Sequence, residues 1–74
     1  MRELIFRHTQ SASGIGYSEK SLKNKCKEFV DKHLKFDLVC SQINKNEIEL
    51  EEFFEQKDNE SRYTISVYKI INNQ

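Results

Sequence analysis

The sequence predicts an α+β fold of order β-α-β-β-β, with one amphipathic helix packed on one face of a small, mostly antiparallel sheet. Three observations carry that expectation. Apolar positions recur at helical spacing through Leu22, Cys26, Phe29, Val30 and His33, whereas the run from Arg62 to Ile71 alternates with a period of two. Between the helical pattern and a short apolar segment at the start lies Gln10 to Tyr17, QSASGIGY, a stretch of small and flexible residues.

Taken in order, Arg2-Glu3-Leu4-Ile5-Phe6-Arg7-His8-Thr9 is apolar in its middle and reads as a first strand, followed by a loop from Gln10 to Tyr17. Ser18 is suited to cap the helix that follows, and Glu19 places a carboxylate near its positive end. The outer faces of this helix carry Lys20, Lys23, Lys25, Lys27 and Lys32, interrupted by Glu28 and Asp31. After Leu34 the run Phe36 to Ile43 is β-prone and ends at Asn44-Lys45-Asn46, which reads as a turn. Residues 47–55 fit two templates. As a strand they alternate through Ile48, Glu49 and Leu50; as a helix, Asn46 caps and Leu50, Phe53 and Phe54 share a face. The alternation favours the strand. Lys57-Asp58-Asn59-Glu60 then turns the chain into the last strand, where Tyr63, Ile65 and Val67 share one face and Arg62, Thr64, Ser66 and Tyr68 the other. Only the first two strands, joined through the helix, are spaced for parallel pairing.

With 74 residues the chain has room for one domain, spanning 1–74, and a chain this short buries only about 60% of its unfolded surface. A homodimer or a bound partner that covers leftover apolar surface is therefore expected. Eight aromatic residues exclude a disordered segment. There is no apolar run long enough to span a membrane and no secretory pattern at the start, so the expected setting is cytoplasmic, with Cys26 and Cys40 reduced. Charge balances overall but is segregated: residues 1–46 hold nine Lys and Arg against five acids, and residues 47–74 hold three against seven.

No constellation of catalytic type is evident. The soft-ligand inventory is His8, Cys26, His33 and Cys40, whose spacing matches none of the close pairs used by structural zinc sites, and neither histidine has an orienting partner in sequence. His33 reads as a core-edge residue. The sequence thus points to a protein that is not an enzyme and needs no metal or cofactor. A weaker feature is the loop from Ser13 through Gly14 and Gly16 to Ser18, with Lys20 behind it. Backbone N–H groups at a helix start attract anions, but the glycine spacing matches neither a dinucleotide fingerprint nor a P-loop.

The more distinctive feature is acidic. On a strand, Glu47, Glu49, Glu51 and Glu55 project from one face with Phe53 among them, and Tyr68 adds a second aromatic from the last strand. Such a row also protects an edge strand against aggregation. As a docking strip it suits a larger protein with a basic surface. Nucleotide or nucleic-acid binding by the lysine-bearing helix and the glycine loop is the alternative; for nucleic acid it is weakened by interspersed acids and zero net charge.

A composition rich in Lys, Asn, Ile and Glu, without Pro or Trp, has the character of AT-rich coding sequence. A short strand, a Leu-x3-Cys-x2-Phe-Val helix and a terminal Tyr-Thr-Ile-Ser-Val-Tyr strand together resemble the small β-α-β-β proteins of gram-positive bacteria and their phages. No residue role or activity is carried over from that likeness. The functional expectation is a small protein-interaction module, an inhibitor or regulator of phage type, acting through its acidic strand.

Overall fold

The structure is a computed structural model that describes residues 1–13, 18–40 and 44–71, with the side chains of 37–40 and 45 outside that description. The first strand, β1, spans Arg2–Ser13, and helix α1 spans Glu19–Cys40. A 3-10 turn at Lys45–Glu47 leads into β2, Ile48–Lys57, which turns directly into β3, Glu60–Ile70. The sheet is antiparallel with order β1-β3-β2. This is an α+β fold, with three strands among the described residues rather than the four expected.

The missing strand is the main correction. Residues 36–40, expected to begin a second strand, continue α1, and the rest of that expected strand, 41–43, lies outside the described residues. No Gly or Pro interrupts the chain between Ser18 and Cys40, so each added residue extends the helix at the cost of ordering one residue for one hydrogen bond. Ser18 starts it, its Oγ accepting from the Ser21 N–H at 3.1 Å and its carbonyl from the Leu22 N–H at 3.2 Å.

β1 also runs further than its apolar core suggests. Gln10, Ser11, Ala12 and Ser13, expected in the loop, pair with Tyr63, Arg62, Ser61 and Glu60. Small polar residues make poor strands in isolation, but here the ladder to β3 satisfies their backbone groups. The remainder of the expected loop, 14–17, is outside the described residues.

The parallel pairing expected between β1 and residues 36–43 is not observed: residues 36–40 are helical, and 41–43 lie outside the described residues. Both β1 and β2 run antiparallel to β3, which lies between them. They are therefore parallel to each other but one strand apart. A tight two-residue turn at Asp58-Asn59 makes the β2–β3 hairpin the economical local pairing, and Asp58 adopts φ 58 to close it.

α1 packs on β1 and β3, leaving β2 largely uncovered. Its buried stripe is Leu22, Cys26 and Val30, which meets Tyr63, Ile65 and Val67 of β3 to form the core. Ile5, Phe6, Ala12, Leu34, Ile48 and Phe54 pack around it. A bulge lets consecutive Ile5 and Phe6 both serve this core: the register steps from Leu4↔Tyr68 to Phe6↔Val67, leaving Ile5 as the extra residue.

Phe29, expected in the core, is 49% exposed. It stacks on the His8 ring at 3.9 Å and runs parallel to His33 at 6.2 Å, while Phe6 meets His33 edge-on at 4.5 Å. This side of the helix is therefore an aromatic rim where α1 leans over β1. Cys26 is a free thiol with no exposure, its Sγ donating to the carbonyls of His8 and Tyr63 at 3.4 and 3.5 Å. Burial pushes its pKa upward. The second cysteine, Cys40, closes α1, and its side chain is outside the description. Among the described residues, no helix is long and apolar enough to cross a membrane.

Candidate functional site

Because side chains alternate along a strand, the face away from α1 can be assembled from the register. β3 contributes Arg62, Thr64, Ser66 and Tyr68; β1 brings Arg2, Leu4, Arg7 and Thr9; β2 brings Glu49, Glu51, Phe53 and Glu55. No described element covers this face. It is arginine-bearing along one margin and acidic along the other, with hydroxyls between.

At one end, Arg2 spans the sheet. Its guanidinium lies over the Tyr68 ring, 4.0 Å from the centroid, and reaches Glu51 at 2.7 Å and Glu49 at 3.4 Å on the far strand. The Glu51 hydrogen bond raises the Arg2 pKa above its ordinary value. Two carboxylates of the acidic row are thus already engaged within the chain. In the middle, Arg7 Nε donates to Ser66 Oγ at 2.8 Å, and the hydroxyls of Thr9 and Thr64 meet at 2.9 Å. Together with Glu51 and Phe53 these residues line a shallow depression of about 360 Å³. At the hairpin end Arg62 Nε donates to Glu60 at 2.7 Å, which lowers the Glu60 pKa, and Glu55 stands opposite Arg62 in the register.

The helix-side face of β2 carries Ile48, Leu50, Glu52, Phe54 and Gln56. Since α1 packs mainly over β1 and β3, Ile48 and Phe54 are only partly buried and Leu50 remains 43% exposed. Glu52 accepts a hydrogen bond from the Tyr63 hydroxyl at 3.0 Å, and Gln56 Nε2 donates to Ser61 Oγ at 3.3 Å. Burial, reinforced by that carboxylate, pushes the Tyr63 pKa up to about 12.

The residues expected to form a docking strip fall as follows. Glu49, Glu51, Phe53 and Glu55 occupy the open face of β2, and Phe53 is 61% exposed. Glu47 sits in the 3-10 turn before the strand. Tyr68 is opposite Glu49, but it is half-buried beneath Arg2 and does not stand out as an exposed aromatic. Of the expected anion-binding set, Ser13 ends β1, Ser18 caps α1 and Lys20 is exposed in its first turn; Gly14 and Gly16 lie outside the described residues. Among the described residues, no three His, Cys, Asp or Glu side chains converge as a metal site.

Sequence reading missed Arg2, Arg7 and Thr9. Their partners are 47 to 59 residues away, and without the β1–β3 register nothing places them on the acidic strand's face. Leu50 was legible as apolar, but its exposure follows from the position of α1. No protein-family model, curated protein or solved structure matches the chain.

Proposed function

We propose that this chain is a small non-enzymatic interaction module, an inhibitor or regulator in type, that engages a larger protein with a basic surface through β2. The observation that carries the reading is the placement of β2. It is an edge strand, left uncovered by the helix, on which Glu49, Glu51, Phe53 and Glu55 share one face. Charge of one sign beside an exposed aromatic steers a basic partner and gives it an apolar anchor. Glu49 and Glu51 are shared with Arg2, so Phe53 and Glu55 are the residues best placed to act outward.

The test compares two surfaces. Binding of a lysine-alternating peptide is followed by fluorescence anisotropy for the parent, for Phe53→Ser combined with Glu55→Lys, and for Lys20→Glu combined with Lys27→Glu on the helix. The reading expects the β2 variant to lose about tenfold or more in affinity, and the helix variant to bind at least as well as the parent. Equal loss in both variants, or no binding by the parent, overturns it.

A further inference from the structure

We infer that the partner segment joins the sheet as a fourth strand, pairing its backbone with the free edge of β2 and its basic side chains with the glutamates. This rests on the docking reading above and specifies how the acidic strand is used. Among the described residues the sheet has two free edges, and they differ. β1 is bulged at Ile5 and lies under α1, and both features break up a template for added strands. β2 has neither protection: its ten residues pair with β3 from Ile48↔Lys69 to Lys57↔Glu60 without a shift. A regular edge of this kind extends about 33 Å and presents alternate N–H and C=O groups outward.

The side chains determine which strand fits. Directly opposed residues in an antiparallel ladder share a face, so a segment running against β2 meets Glu55, Phe53, Glu51 and Glu49 on the open side and Phe54, Glu52 and Leu50 on the other. The complementary sequence is basic opposite Glu55, apolar opposite Phe54 and Phe53, hydroxyl-bearing opposite Glu52, basic opposite Glu51, apolar opposite Leu50 and basic opposite Glu49. Lys-Val-Val-Thr-Lys-Val-Lys meets every position. A second copy of this chain fits less well: antiparallel pairing of β2 with itself about Glu52 sets Glu49 against Glu55 and Glu52 against Glu52, which is destabilising, and the full-overlap register, Ile48 against Lys57, sets Glu51 and Glu52 against Phe54 and Phe53, so neither register supplies a cation to the glutamates of β2.

The experiment uses the whole chain, three forms of that peptide (unmodified, and N-methylated at alternate residues in the two out-of-phase patterns) and a Glu-for-Lys control. Charge is identical in all three. Only one pattern places its methyl groups toward β2, where they block the ladder; the other places them toward solvent. Strand addition therefore predicts that one pattern weakens binding by about tenfold or more while the other stays within about threefold of the unmodified peptide. Equal effects of the two patterns, whether retention or loss, overturn strand addition while leaving the basic-partner reading intact. Failure of the unmodified peptide to bind better than a Glu-for-Lys version overturns both.

Discussion

Arg2 lies over Tyr68 and holds Glu51 at 2.7 Å, so a residue of one edge strand is tied to the other edge strand across the ring of the central one. The consequence is a face whose acidic margin is partly neutralised at one end and open at the other. Exposed pairs of this kind are screened by salt. Replacing Arg2 with Met should lower the melting temperature at low ionic strength, and the difference from the parent should shrink as salt is added. A salt-independent difference would assign the role of Arg2 to packing alone.

Tyr63 predicts an alkaline sensitivity. Its folded pKa, about 12, lies above the ordinary value of 10, so the native state holds the phenolic proton more tightly than the unfolded chain. The stabilisation is fully present below pH 10 and declines as pH rises from 10 towards 12, by at most ~1.4 kcal/mol per pH unit. Denaturant titrations between pH 8 and 12 should show the parent losing its advantage over Tyr63→Phe across that interval. A constant difference between the two would remove the linkage.

Truncations should separate core from surface. Ile65 is 1% exposed and central to the core, so Ile65→Ala should cost about 2–4 kcal/mol. Phe53→Ala should change stability by less than about 0.5 kcal/mol, because the ring is mostly in solvent. Chemical denaturation measures both. A cost for Phe53 comparable to that for Ile65 would make the exposed ring a structural residue and remove it from the docking surface.

The hairpin turn gives an independent check on the β2–β3 register. Asp58 at φ 58 adopts a conformation that glycine reaches without a Cβ penalty. Asp58→Gly should stabilise by roughly 0.5–1 kcal/mol, and Asp58→Val should destabilise by roughly 1–2 kcal/mol. Thermal unfolding of the pair reads the sign directly.

The fold class was legible where periodicity and burial coincide. Leu22, Cys26 and Val30 mark the helix stripe, and Tyr63, Ile65 and Val67 mark the buried side of β3, because each pattern reflects one face meeting the core. It was not legible from 36 to 40, where Phe36, Leu38 and Val39 suit either structure and the uninterrupted helix before them decides. Ser11 and Ser13 have weak strand preference of their own, and only the pairing with Arg62 and Glu60 makes them part of β1. The acidic row could be read as a row. Its attachment to Arg2, and the open outer face of β2, depend on contacts across the sheet that no local pattern encodes.

A basic partner is proposed to meet this chain at β2. The most direct measurement is a titration of the isotope-labelled chain with Lys-Val-Val-Thr-Lys-Val-Lys, followed amide by amide in nuclear magnetic resonance spectra. Binding at β2 predicts saturable shifts concentrated on Ile48 to Lys57, with smaller ones at Thr64 and Ser66 behind them. Shifts centred on the lysine-bearing helix from Lys20 to Lys35, or an absence of saturable shifts on β2, would contradict it.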